Sequence, residues 1–349
     1  MDIQIGRKKI GDNSPAFVIA ELSANHLQKY NLAVKTIHAM KKAGADAVKL
    51  STDNPDGGIT INCRNKHFKV KGGTLWDGTY LYDLYEQVKT PWEWHKPLKK
   101  LTEELGMIFF STPSCNESVD FLVKLNVPIL KISSFELNDT NLIEYMASKG
   151  KPLIMSTGMA YLSEVDEAVR ICRKAGNNNI ILLKCVSSYP TPPEDTNLNN
   201  IPTLKNTFNT VVGLSDHTLG VAAPIAAVAI GAKVIEKHFT LDRKLGGPDA
   251  AFSLEPDEFK NMVDSIREVE KSMGKKDYVV TKSALKGRVF ARSLFASEDI
   301  RAGDVFSAKN IKSIRPGCGL PPKFLHDIIG KKSRYNIKRG TPLSWKTVL

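Results

Sequence analysis

The sequence predicts an α/β protein: a (β/α)8 TIM barrel followed by a small β-rich domain. Three observations predict it. Short β-rich runs alternate eight times with longer, mostly amphipathic stretches. Each of the eight runs finishes in a charged or hydroxyl residue, as barrel strands do where their C-terminal ends surround a shared pocket. Residues 276–349 carry nearly all of the net charge and contain an internal near-repeat.

The strand candidates are 17–20, 47–50, 107–111, 129–132, 152–156, 180–184, 211–214 and 233–236. Helical patterns separate them. Leu32, Val34, Ile37, Met40 and Ala43 leave Lys35, Lys41 and Lys42 on the outside. Pro91-Trp92-Glu93 opens a helix with proline in its first turn. Ser163-Glu164 opens one that Gly176 stops, and residues 221–230 form one helix-sized apolar stretch. Pro256-Asp257-Glu258 begins an eighth helix over 256–273, closed by Gly274. Eight parallel strands close into a barrel. An open doubly wound sheet is the alternative, but no Gly-rich dinucleotide fingerprint follows the first strand.

The connection 54–90 is long for a β-to-α loop and rich in glycine and aromatics (Trp76, Tyr80, Tyr82, Tyr85), so it is expected to be an elaborated loop beside the pocket. Domain boundaries are expected at 1–273 for the barrel, 274–287 for a linker and 288–349 for the small domain. Within the last, Ile300-Arg301-Ala302-Gly303-Asp304-Val305-Phe306-Ser307 resembles Ile337-Lys338-Arg339-Gly340-Thr341-Pro342-Leu343-Ser344. Each copy reads as strand, glycine turn, strand, which suggests internal pseudo-symmetry.

Composition is that of a soluble globular protein, with 42% hydrophobic and 25% charged residues. No apolar run reaches the length of a membrane span, and the N-terminus lacks the apolar core of a signal peptide. Five scattered cysteines, an odd number without paired spacing, fit a reduced cytoplasm. Of the net charge of +12, residues 276–349 supply 16 Lys or Arg against 5 Asp or Glu, a net of +11. That basic tail either binds nucleic acid or covers a pocket for a small anion. Its regular apolar residues and glycines favour the second, so neither a nucleic-acid nor a membrane partner is expected.

The strand ends assemble Glu21, Lys49, Ser111-Thr112, Lys131 with Ser133-Ser134, Ser156-Thr157, Lys184 with Ser187, Ser215 with His217, and Glu236 with His238. Strands must meet water somewhere, which explains polar ends but less well three lysines and several hydroxyls on one rim. His217 and His238 end two successive strands, so both imidazoles project from one edge. With Glu236 on the same strand face as His238, and Asp249 returned by the Gly246-Gly247-Pro248 turn, they suggest an open site for a divalent metal, Mn or a similar ion. His26, just after the first strand, is read as a rim residue. The lysines are either paired with carboxylates such as Glu21 and Glu136, or form an anion clamp with Ser134, Ser156 and Ser215. Lys184 is the candidate for a rival Schiff-base aldolase chemistry. Arg315 lies in a Gly/Pro-rich loop of the basic domain that could reach a pocket.

With these residues in place, the chain resembles the sialic acid synthase family. The stretches that carry the resemblance are Ile19-Ala20-Glu21, Lys131-Ile132-Ser133-Ser134, Ser156-Thr157-Gly158-Met159, Tyr189-Pro190-Thr191-Pro192, Gly213-Leu214-Ser215-Asp216-His217-Thr218, Glu236-Lys237-His238-Phe239, Gly247-Pro248-Asp249 and Arg315-Pro316-Gly317. They run in order along nearly the whole chain. Thr90-Pro91-Trp92-Glu93-Trp94-His95, Ser134-Phe135-Glu136 and Phe252-Ser253-Leu254-Glu255-Pro256 resemble its pseudaminic acid synthase branch; N-acetylneuraminate and legionaminate synthases are the alternatives.

The resemblance implies a barrel with an antifreeze-like (SAF) domain, a domain-swapped homodimer, and a divalent metal (Mn, or Mg or Co). It implies condensation of phosphoenolpyruvate with an open-chain acylated amino sugar. By position, it makes His217 and His238 metal ligands and Glu21 an acid/base. Lys49, Lys131, Ser134, Ser156, Ser187 and Ser215 would grip phosphoenolpyruvate. Tyr189 and Asp249 fall on the sugar side, Asp249 also as a candidate catalytic group, and Arg315 would reach the sugar's acyl amide from the partner subunit. Two departures, Ser51 where the family usually has Gln and Ser114 where it often has Phe, put the sugar in doubt more than the reaction class.

Overall fold

A computed structural model describes residues 2–275 and 277–349. The chain divides into two compact units, Met1–Gly274 and Lys275–Leu349.

The first unit opens with a hairpin, β1 (Asp2–Ile5) and β2 (Lys8–Gly11), paired antiparallel. Eight strands then alternate with helices: β3 (Phe17–Glu21), β4 (Ala47–Thr52), β5 (Ile108–Pro113), β6 (Leu130–Ile132), β7 (Leu153–Ser156), β8 (Ile180–Lys184), β9 (Val211–Asp216) and β10 (Val234–His238). All eight pair in parallel, and β10 pairs with β3 to close the barrel. The open doubly wound alternative is thereby excluded.

Ile3, Ile5 and Ile10 of the hairpin are fully buried. Arg7 donates to the Gly106 carbonyl and Lys8 bonds Asp46 at 2.8 Å, both just ahead of strand N-termini. The hairpin therefore closes the N-terminal mouth, and burying each isoleucine stabilises it by about 2 kcal/mol. That leaves the C-terminal mouth open for chemistry.

Helices 162–174 and 256–273 match their expected spans to within a residue, and Gly176, at φ +80°, takes the left-handed conformation that stops the first. Pro91 caps the helix Trp92–Glu104 from outside rather than sitting in its first turn. The 54–90 segment holds a helix, Leu81–Val88, and a two-stranded arm bridged at Lys69 and Tyr80.

The second unit has its own core, with Leu294, Ile300, Phe306, Ile311, Ile328, Ile337 and Leu343 buried together. Strands β11 (Ser293–Ala296) and β12 (Ile311–Ile314) pair antiparallel. The near-repeat is structural, but its copies pair with each other rather than each folding into a hairpin. Ile300 and Ile337 exchange two backbone hydrogen bonds, at 2.8 and 2.7 Å. On either side, Gly303 N–H donates to Ser333 O and Gly340 N–H to Ala296 O. Gly303 and Gly340 have φ of +89° and +83°, which is why both copies need glycine there. The equivalent positions are related by an approximate twofold through the Ile300–Ile337 pair.

Candidate active site

Side chains along a strand alternate between the barrel interior and the helix layer. On β3, β4, β6 and β10 the inward positions near the open mouth are Glu21, Lys49, Lys131 and Glu236, and all four are buried. Lys49 pairs with Glu21; its ammonium also lies 3.6 Å from Glu236 Oε1 and bonds Thr112 Oγ1 at 3.2 Å. Lys131 Nζ lies 3.3 Å from the same Glu236 oxygen, which also accepts from Ser215 Oγ at 3.0 Å. Two lysines thus share two carboxylates in a closed network.

Burial alone would push the Glu236 carboxyl up, but the ammonium groups of Lys131 and Lys49 and the Ser215 hydroxyl outweigh it and hold it down. Glu21 goes the other way: burial and the neighbouring Glu236 charge raise it against the pull of Lys49. Burial also lowers Lys131, with Lys49 adding repulsion against the pull of Glu236. Lys49 stays raised, because Glu21 and Glu236 overcome its burial.

The hydroxyls divide into two kinds. Ser215 is committed to Glu236, and Ser134 Oγ accepts from Gly158 N–H at 3.0 Å. Ser156 Oγ and Ser187 Oγ are buried with no hydrogen-bond partner among the described residues. A Cβ placed on Gly158 would come within 2.4 Å of Ser187 Oγ, 2.6 Å of Ser134 Oγ and 3.0 Å of Cys185 Sγ. Only glycine lets these three side chains converge. The result is a cluster of buried hydroxyls and a thiol near Lys131, with the Ser156 and Ser187 hydroxyls unpaired, a donor set suited to an anion.

His217 and His238 meet at 5.3 Å between ring centroids. His217 Nδ1 faces the Val186 carbonyl at 3.0 Å, so that nitrogen carries the proton and Nε2 keeps its lone pair. His238 Nδ1 is buried without a hydrogen bond, 3.8 Å from Asp249 Oδ2. Burial comes first, and the ammonium groups of Lys49, Lys237 and Lys131 add to it, holding the His238 imidazole well below the usual histidine range and so neutral. Behind the wall, Asp216 and Lys237 point outward and form a fully buried ion pair at 2.5 Å. That pair ties β9 to β10 in the register that turns both imidazoles inward.

An orphaned imidazole nitrogen beside a second imidazole fits a divalent ion. Among the described residues no group of three or more His, Cys, Asp or Glu side chains is placed to hold a metal. Two protein ligands leave positions for water or substrate, as in an open rather than a structural site.

An aromatic wall flanks the imidazoles. Tyr189 lies 4.4 Å from His217, and Phe252 lies 4.9 Å from His238 and 5.2 Å from Tyr189. Asp249 is buried, accepts from Ala24 N–H at 3.3 Å, and is raised mainly by burial. Arg315 belongs to the second unit and is exposed there. Its loop is held by Ser293, whose hydroxyl donates to Pro316 O at 2.7 Å and accepts from Gly319 N–H at 2.9 Å.

Four expectations change. Lys184 does not join the rim: Leu183 on β8 and Cys185 just after it take the inward positions, and the Lys184 ammonium turns to the Cys185 carbonyl at 2.8 Å. This removes the geometric basis of the Schiff-base rival. His26 is fully buried and bonds Thr90 Oγ1 at 3.2 Å, anchoring the end of the long loop instead of lining the mouth. The carboxylates paired with the lysines are Glu21 and Glu236; Glu136 instead takes the Ser133 hydroxyl, and Glu236 lies with the lysines rather than the imidazoles.

These observations define a barrel mouth with a cluster of unpaired hydroxyls, a pair of imidazoles and an aromatic wall. The chain matches the NeuB family over residues 36–278 and the SAF domain over residues 291–349. It belongs to the NeuB family. A pseudaminic acid synthase of Campylobacter jejuni is 47% identical over 341 residues, covering 98% of each chain. One from Helicobacter pylori is 44% identical, covering 95% of this chain and 97% of that one. The solved structure of the Bacillus subtilis spore coat polysaccharide biosynthesis protein SpsE superposes with a TM-score of 0.68 at 36% identity, covering 100% of this chain and 99% of that one.

Several residues of this NeuB-family mouth were not singled out by motif: Cys185, Gly158, Asp53 and the loop aromatics. Alternation would have found the first, since Cys185 is two residues from Leu183. Asp53 continues the inward series Lys49, Ser51 on β4 and is buried. Burial, then the Glu136 charge, raises its carboxyl from 3.8 to about 7 against the pull of Lys49, with Glu21 adding to the rise. The folded state therefore keeps a proton that the unfolded chain releases. The stability this confers is full below about pH 4 and is lost as pH rises through 7. Asp53→Asn is expected to melt about 2 °C or more above the unsubstituted protein at pH 8, with the two converging below about pH 4. Equal melting temperatures across that range would refute a raised Asp53.

Proposed function

We propose that the protein condenses phosphoenolpyruvate with 2,4-diacetamido-2,4,6-trideoxy-L-altrose, giving pseudaminic acid and phosphate. The observation that carries this reading is the unpaired Ser156 and Ser187 hydroxyls about Gly158, with Lys131 near them, beside two inward imidazoles, in a chain similar over its whole length to pseudaminic acid synthases. In this reading Lys49, Lys131, Ser134, Ser156, Ser187 and Ser215 hold the carboxylate and phosphate of the enol. Tyr189 and Asp249 face the sugar. A divalent cation (Mn, or Mg or Co) held by His217 and His238 would polarise the sugar aldehyde.

C3 of the enol forms the new carbon–carbon bond to the aldehyde carbon. Water adds at C2, and phosphate leaves with its bridging oxygen by C–O cleavage. Glu21, raised by burial and held in place by the Ser23 N–H at 2.7 Å, is suited to exchange a proton with the reacting groups. The paired lysines keep the mouth neutral when empty and offer charge-assisted hydrogen bonds to an arriving dianion.

Arg315 is assigned to the sugar's acyl amide, delivered from the small domain of a second copy in a swapped homodimer. Arg315→Ala is expected to raise the KM for sugar about tenfold or more and to leave that for phosphoenolpyruvate within about twofold. A parallel rise in both would remove its sugar-specific role. No described helix is long and apolar enough to cross a membrane, and a cytoplasmic location is proposed from the biosynthetic reaction.

The deciding experiment offers the purified protein phosphoenolpyruvate with each six-carbon precursor in turn. Product from the diacetamido-L-altrose is expected. Turnover of N-acetylmannosamine alone would overturn the pseudaminic assignment, and activity indifferent to EDTA would overturn the metal.

A further inference from the structure

The long 54–90 loop carries an unassigned feature of the mouth. Residues 69–80 form a self-supporting arm. Val70 N–H donates to Thr79 O at 2.8 Å, and Gly78 N–H returns to Val70 O at 3.0 Å. At its tip the Asp77 carboxylate accepts from Gly72, Gly73 and Thr74 N–H at 3.2, 2.9 and 2.9 Å and from the Thr74 hydroxyl at 2.7 Å. Gly72 and Gly73 have φ of +131° and +79°, so the turn depends on glycine.

This tip presents its two apolar side chains differently. Leu75 is 55% exposed, whereas Trp76 turns in against Tyr189, at 5.5 Å between ring centroids. The indole thus extends the wall that runs through Tyr189 to His217 and Phe252. Trp76 Nε1 is buried and has no acceptor among the described residues. A buried N–H left unmade is unfavourable, and buried indoles ordinarily find a partner. The arm therefore holds a donor at the aromatic wall, apart from the lysines that pair with Glu21 and Glu236.

We propose that Trp76 is a specificity-determining residue, its indole N–H donating to the carbonyl oxygen of a sugar acylamino group while the acyl methyl lies against the continuous aromatic surface of Trp76 and Tyr189. The inference rests on the synthase reading above. A neutral carbonyl suits the position because the anionic enol is drawn to the lysines. A substrate with two acylamino groups also needs a second recognition point besides Arg315.

The test compares the full-length protein with Trp76→Phe, which keeps the aromatic surface and deletes the N–H. At saturating metal, the KM for the diacetamido sugar is expected to rise about tenfold, equivalent to about 1.4 kcal/mol. The KM for phosphoenolpyruvate should stay within twofold. Sugar-induced quenching of tryptophan fluorescence should shrink in the same variant. Trp76→Ala, which also removes the stacking surface, should weaken sugar use further. An unchanged sugar KM in Trp76→Phe, or an equal rise in both KM values, overturns the role of Trp76. Absence of product from the unsubstituted protein would instead sink the synthase reading.

Discussion

His238→Ala is expected to abolish turnover while the barrel remains folded. The side chain ends β10, and its Nδ1 makes no hydrogen bond among the described residues, so truncation there orphans no protein partner on that side. The structural loss is contact with Phe252, 4.9 Å away between ring centroids, worth about 1 kcal/mol. On the proposed reading, the functional loss is one of two imidazole ligands. Changing even a group that only orients a ligand commonly weakens metal affinity by about 10–100-fold, and losing a ligand itself should exceed that. Calorimetric titration with Mn2+ should show a Kd raised by at least about 100-fold. Thermal melting without metal should shift by only a few degrees. Metal affinity and rate unchanged in the variant would refute the ligand assignment.

Lys131→Met should produce the second large effect, and of a different kind. The Lys131 side chain is 2% exposed, and its ammonium shares Glu236 with Lys49. Methionine preserves the stem and deletes the charge. Truncating one member of a buried pair costs about 3–5 kcal/mol. The lower end is expected here, because Glu236 keeps Ser215 at 3.0 Å and Lys49 at 3.6 Å. In catalysis, kcat/KM for phosphoenolpyruvate should fall by about a thousandfold, or about 4 kcal/mol, with sugar KM little changed. Lys131→Met combined with Glu236→Leu separates the two roles. The double variant should recover stability, since no unpaired carboxylate is left, but not phosphoenolpyruvate use. Recovery of both would make the lysine purely structural.

The strand–helix alternation was legible because it is a local property: apolar runs of strand length, polar ends, and helix stops such as Gly176. The two histidines were legible for the same reason, each closing a strand that lies next to the other. The near-repeat of the small domain was visible as a pattern, but its pairing was not. Whether two copies fold singly or against each other depends on hydrogen bonds between residues 37 apart, such as Ile300 and Ile337. Lys184 shows a second limit. It ends an apolar run just as Lys131 does, yet one position of alternation sends it outward and brings Cys185 in.

The sequence by itself determined the class of fold, the edge where chemistry collects, and the types of group found there. Period, turn residues and strand ends are short-range features that any neighbourhood of the chain must satisfy. The tertiary structure decided which carboxylates face the lysines, that Gly158 leaves room for three side chains, and that Trp76 from a distant arm reaches Tyr189. Lys131 and Glu236 are 105 residues apart in the chain. Their meeting depends on parallel register carried strand by strand around a closed barrel, a constraint that no local stretch of sequence contains.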